Sequence, residues 1–189
     1  MEQNTTDSGF RPVRICSGGG GDKKGWKGKT KIQNGWKKPP EGMLMINVDA
    51  AFDIDSGSGG TGVVLRDHLG ACVTASQAFL PYVLDAPTMA EAFALRDGLA
   101  LAQHIGAKNV IVQTDCMQVV STMMDGGFSA TAAMSVFDDC KLMWDGFGTI
   151  SIEHCNRNSN QMAHELARLA FRTKNSCTWV DEPPPLAVF

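Results

Sequence analysis

The sequence predicts an α/β domain built on a five-stranded mixed sheet with helices on both faces. Three observations predict it. Three strand-like segments follow one another between residues 43 and 79, separated only by turn signals. From Pro87 onward, helical and strand-like patterns alternate, as chain crossovers between parallel strands require. Finally, the Gly- and Lys-rich first forty residues and the Pro-rich end bound one stretch that has enough aliphatic residues for a core.

From Met43 the chain alternates, with Leu44, Ile46 and Val48 on one side and Met45, Asn47 and Asp49 on the other, the period of a strand with two distinct faces. The Gly- and Ser-rich stretch from Asp55 to Thr61 reads as a turn. A second strand follows over Gly62 to Arg66. The turn Asp67-His68-Leu69-Gly70 leads to a third strand, Ala71 to about Phe79, which completes an antiparallel meander. Pro87 and Thr88 open a helix that runs to about Ile105, with Ala92, Leu95, Leu99 and Ala102 stacked along one side, and Gly106 stops it. Asn109 to Thr114 is a short buried strand ending at Asp115. A helix from Cys116 to about Asp125 closes at Gly126-Gly127, and another covers Ala130 to Trp144. Thr149 to Cys155 forms the last strand. Gln161 to Arg172 forms the last helix, with Ala163, Leu166, Ala167 and Ala170 as its apolar face, and Trp179 to Phe189 reads as an extended end.

Hydrophobic residues at 43% and charged residues at 20% fit a globular protein. No apolar run approaches the roughly 18–20 residues of a membrane span. The polar start lacks the apolar segment of a secretory signal, so the expected location is intracellular, in nucleus or cytoplasm. The six cysteines are scattered without a Cys-x-x-Cys pair, which argues against structural zinc and for reduced thiols, mostly in the core.

The net charge of −3 hides a division. Residues 1–40 carry nine basic and three acidic side chains, whereas residues 41–189 carry eight basic and seventeen acidic ones. Residues 1–40 read as a disordered basic arm, 41–181 as the folded domain and 182–189 as an extended tail. Gly28-Lys29-Thr30 imitates the end of a phosphate-binding loop, but Lys23 stands where that loop needs a glycine, and no strand precedes it. The lysines of the arm, Lys23, Lys24, Lys27 and Lys29, are candidate contacts for nucleic-acid phosphates. Trp26 and Trp36 among them are either stacking platforms for bases or incidental residues of a solvated linker.

Three acids stand apart. Asp49 lies within an otherwise apolar strand, where an unpartnered carboxylate is costly. Glu91 lies early in the first helix and Asp115 at the end of the fourth strand; helix-start preference and helix capping are the plain alternatives for these two. In order and in position these acids, with their surroundings, resemble the ribonuclease H-like superfamily, in particular the plant reverse-transcriptase-like kind. The matching pieces are Ile46-Asn47-Val48-Asp49-Ala50-Ala51-Phe52, Ala90-Glu91-Ala92, Thr114-Asp115-Cys116, and Asn160-Gln161-Met162-Ala163-His164-Glu165-Leu166-Ala167. The lead-in Trp36-Lys37-Lys38-Pro39-Pro40 and the hairpin Leu65-Arg66-Asp67-His68-Leu69-Gly70 add to the likeness.

This resemblance implies an endonuclease that hydrolyses the RNA strand of RNA–DNA hybrids with two Mg2+ or Mn2+ ions. Asp49, Glu91 and Asp115 would be the metal ligands, and His164 would take the fourth ligand position, where many relatives have an acid. An imidazole brings no negative charge and suits softer ions, which favours Mn2+. The resemblance also implies that His154 is a loop histidine aiding proton transfer or product release. Arg157 and Asn160 would hold a phosphate nearby, although a polar loop supplies such residues without function. Two rivals stand beside this reading. One is a domesticated, inactive domain serving as a protein- or nucleic-acid-interaction module, which His164, the acidic surface and Ala50-Ala51 favour. The other is a nuclease for structured DNA or single-stranded RNA.

Overall fold

The computed structural model describes residues 36–83, 87–125 and 132–180. The arm lysines, Trp26, the Gly126-Gly127 stop, the Ala130 helix start and the Pro183–Pro185 run lie outside these residues. Strands β1 (Leu44–Asp53), β2 (Ser58–Arg66) and β3 (Cys72–Leu80) form the antiparallel meander. Helix α1 (Pro87–His104) then leads to β4 (Asn109–Thr114), which pairs parallel to β1. Helices α2 (Met117–Asp125) and α3 (Met134–Trp144) precede β5 (Thr149–His154), parallel to β4. A single 3-10 turn, Arg157–Ser159, enters α4 (Gln161–Thr173).

The sheet has six strands, not five, in the order β5-β4-β1-β2-β3-β6. The added strand, β6 (Cys177–Val180), pairs antiparallel with β3 and occupies the start of what the sequence presents as an extended end. Four residues are too few to display a strand period. Their pairing is decided by Trp179, which packs with Val64, Ala75 and Leu166, and whose carbonyl accepts from Thr74 Oγ1 at 2.8 Å.

The second departure is at the glycines. Ser58 to Thr61 read as turn but lie inside β2. Along this strand Val63 and Leu65 join the large core under α1 and α3, whereas Val64 joins the smaller core under α4. Gly60 and Gly62 share the face of Val64, and there α4 lies almost on the backbone. A Cβ on Gly60 would stand 2.5 Å from the Ala167 carbonyl oxygen, and one on Gly62 would strike the Ala163 carbonyl. The glycines are there to admit a helix, not to bend the chain. On the opposite face Gly98 of α1 does the same, since a Cβ there would come within 2.6 Å of Val48 Cγ1.

The folded domain begins before residue 41. The Trp36 ring lies 5.1 Å beneath the Arg66 guanidinium, and its Nε1 donates to Asn47 Oδ1 at 3.2 Å. Trp36 is therefore part of the domain surface and not of the arm. Cys72, Cys116, Cys140 and Cys155 are free thiols, and burial pushes Cys140 and Cys155 up to about 12. Cys177 departs from the expectation of reduced thiols: it is disulfide-bonded. Among the described residues no helix is long and apolar enough to cross a membrane.

Candidate active site

Four elements meet at the carboxyl ends of β1 and β4. Parallel pairing of these strands brings Asp49 and Asp115 side by side, although 66 positions separate them in the sequence. Alternation along β1 turns Ile46 and Val48 into the core under α1, so Asn47 and Asp49 face the α4 side. Asp49 pairs across the ladder with Gly62, the glycine over which α4 passes. The missing side chain at Gly62 lets the first turn of α4 approach until His164 Nδ1 lies 2.6 Å from Asp49 Oδ2.

Asn160 fastens the corner. Its amide donates to the Val48 carbonyl at 2.8 Å and to Asp115 Oδ1 at 3.2 Å, tying β1, β4 and the start of α4 together. At 1% exposure it is not available to a phosphate, which corrects the reading of Asn160 as a nucleic-acid contact. Arg157, by contrast, is exposed and points Nη2 at His164 Nε2, 3.4 Å away. His154 is exposed as well, with Nε2 3.2 Å from the Asp115 carbonyl oxygen. Beside it lies a shallow depression of about 250 Å³ lined by Lys37, Gln113, Glu153, His154, Cys155, Asn156 and Ser159.

The electrostatics follow from burial and crowding. Asp49 is raised to about 9, first by desolvation and then by the negative fields of Glu91 and Asp115. Glu91 is raised to about 8, again by desolvation first and by Asp115 second. His164 is lowered, by desolvation first and then by the positive charge of Arg157. Burial thus drives both members of the Asp49–His164 contact toward their neutral forms.

Among the described residues Glu91 Oε2 is buried with no hydrogen-bond partner. A buried oxygen in that state, on a carboxyl raised by burial and by the neighbouring Asp115, fits a cation. The donor set consists of hard oxygens, which fit Mg2+ or Mn2+. Among the described residues no group of three or more His, Cys, Asp or Glu side chains forms a ready-made metal cage. As placed, His164 has both ring nitrogens engaged, one by Asp49 and one by Arg157. It is a hydrogen-bond partner of the acid at the place where the sequence sets a fourth ligand.

Sequence reasoning overlooked Gly62 and the polar ladder behind Asp49. In that ladder Arg66 Nη1 donates to Asn47 Oδ1 at 3.1 Å. Asn47 Nδ2 in turn donates to Gln113 Oε1 at 3.0 Å, and Gln113 Nε2 to Glu153 Oε1 at 2.6 Å. The available signal was a glycine within a strand-like run and polar residues at the inward period of two strands.

The reverse transcriptase-like family profile matches residues 47–170. Among solved structures, the chain is similar to the N-terminal RNase H domain of rv2228c from Mycobacterium tuberculosis, solved as a fusion with maltose binding protein. The TM-score is 0.65 and the identity 22%, covering 69% of this chain and 94% of that one. RNase H1 from the halophilic archaeon Halobacterium salinarum NRC-1 matches with a TM-score of 0.64 and 22% identity, covering 68% and 96%. LC11-RNase H1 in complex with an RNA/DNA hybrid matches with a TM-score of 0.64 and 22% identity, covering 69% and 98%. A search of curated proteins by sequence finds no match.

Proposed function

We propose that this chain, which belongs to the reverse transcriptase-like family and has a ribonuclease H-like fold, is a metal-dependent nuclease that cuts the RNA strand of RNA–DNA hybrids. The observation that carries the proposal is that Asp49, Glu91 and Asp115, from three elements, act on one another's charge at a buried site, where desolvation first and mutual repulsion second hold Asp49 and Glu91 far above the usual carboxylate range. Carboxyls that repel one another in this way are stabilised by divalent cations. The match to an RNase H1 solved with an RNA/DNA hybrid supports the choice of substrate.

In this reading Asp49, Glu91 and Asp115 hold two Mg2+ or Mn2+ ions. When bound, these ions supply a hydroxide-like nucleophile and neutralise the leaving oxygen. The chain's own groups do the remaining work. Asp49 must be ionised to act as a ligand, and His164 Nδ1 at 2.6 Å is placed to hydrogen-bond its carboxylate. Arg157 is placed to meet a phosphate oxygen at the mouth of the site. His154, exposed beside Asp115, is positioned to exchange protons with solvent. Asn160 keeps β1 and β4 in register with α4.

The test is cleavage of an end-labelled RNA–DNA hybrid in Mg2+ and in Mn2+. Mn2+ is expected to be the better ion. Asp49→Asn is expected to abolish cleavage with either, and His164→Asp to raise the Mg2+ rate by adding a carboxylate. Absence of cleavage in the wild type with both ions, with no rescue by His164→Asp, would sink the nuclease and leave an interaction module.

A further inference from the structure

The basic side chains of the folded domain are unevenly placed. Residues 41–189 contain eight Lys and Arg, and half of them, Arg157, Arg168, Arg172 and Lys174, fall within the 3-10 turn, α4 and its C-cap. All four are exposed. His164, Arg168 and Arg172 follow at four-residue intervals, so they form one stripe along the helix. Arg157 extends that stripe to the Asp49–His164 contact, and Lys174, the left-handed C-cap two residues after Arg172, adds one more positive charge at the far end of the helix. Glu165 is the one acid between residues 157 and 174, and it reaches Arg168 only at 3.7 Å. Among the described residues no carboxylate is bridged to Arg157 or Lys174.

The other side of the site has the opposite charge. α3 exposes Asp138 and Asp139 and ends at the exposed Asp145, with Lys141 the single base among them. A polyanion that enters the carboxyl cluster is repelled along α3 and attracted along α4. We propose that one strand of the nucleic acid leaves the site along the exposed face of α4, its successive phosphates paired with Arg157, Arg168, Arg172 and Lys174. Such a track is independent of base sequence, since point charges strung along one helix and its two ends read phosphates only. The inference rests on the nuclease reading in taking nucleic acid as the occupant.

The test uses the full chain and a fluorescent RNA–DNA hybrid in EDTA, where no cleavage occurs, with anisotropy measured over a range of salt. Arg168→Glu combined with Lys174→Glu is expected to weaken binding about tenfold or more and to flatten the log–log salt dependence by about two units. Lys108→Glu combined with Lys141→Glu makes the same change in net charge off the track and is expected to alter Kd less than twofold. A thermal melt checks that both variants are folded, and Arg168→Gln with Lys174→Gln gives the milder version of the same effect. Equal Kd and salt slope in the two double variants overturns the track, as does a wild type that does not bind the hybrid or that binds polyglutamate equally well. In Mg2+ or Mn2+ the track variant is expected to raise KM and leave the maximal rate unchanged. If no protein cleaves while the binding difference stands, the nuclease reading fails and the track holds. If cleavage is intact without that difference, the track alone fails.

Discussion

Replacing Asp49 with Asn is expected to make the metal-free protein more stable while making it catalytically dead. Asp49 is 3% exposed, and its carboxyl is raised from 3.8 to about 9. At pH 7.5 the group is ionised in the unfolded chain and protonated in the fold, so folding takes up a proton. Each unit between 3.8 and 7.5 costs about 1.4 kcal/mol, which sets a ceiling of about 5 kcal/mol. Relaxation and water entry at the rim reduce this, and about 2 kcal/mol is the expected net gain on removing the acid. For a domain of this size that corresponds to a rise in melting temperature of about 4–8 °C. The sign with pH is fixed by the upward shift. Stability is fully present below the ordinary carboxylate range and is lost as pH rises toward 9, so the advantage of Asn must grow between pH 5 and pH 8.5. Asn keeps the shape of the side chain and a polar atom within reach of His164 Nδ1. The assay is thermal unfolding of both proteins in EDTA across that pH range, repeated with excess Mn2+. The ion is expected to stabilise the wild type and not the variant. A gain independent of pH, or no gain at all, would refute the reasoning.

Three further outcomes follow from particular contacts. Gly62→Ala places a methyl against the Ala163 carbonyl and the Ala167 amide, and is expected to cost about 3 kcal/mol in urea unfolding while lifting His164 off Asp49. Asn160→Ala leaves the buried Val48 carbonyl without its donor and frees Asp115. A loss of about 2 kcal/mol is expected, with a fall in cleavage beyond what instability explains, measured well below the melting temperature. Removing residues 1–35 is expected to weaken hybrid binding and flatten its salt dependence without changing the melting temperature. Removing residues 1–40 must lower the melting temperature as well, because Trp36 packs on Arg66 and Asn47.

Much of this protein was legible without coordinates. Periodicity and turn residues are local signals, so the meander, the α1 helix closed by Gly106, β4 and α4 were read within a few residues of their observed bounds. Asp49 was conspicuous because an acid in an apolar strand needs a partner, and the order of the acids along the chain carried the family resemblance. The amino-acid sequence by itself determined the element types, the division of charge between the first forty residues and the rest, and the three acids. Tertiary structure alone decided whatever depends on approach between distant segments. A strand of four residues shows no period, so β6 exists only because β3 and the core beneath α4 receive Trp179. A glycine reads as a turn until a helix is found lying over it, as at Gly60 and Gly62. Asn160 reads as a surface amide until its burial and its two bonds show it to be a fastener. The pairing of His164 with Asp49 and Arg157 is invisible until α4 is found folded over β1. Each is a through-space contact between residues far apart in the chain, and a local pattern carries no record of the distance that closes between them.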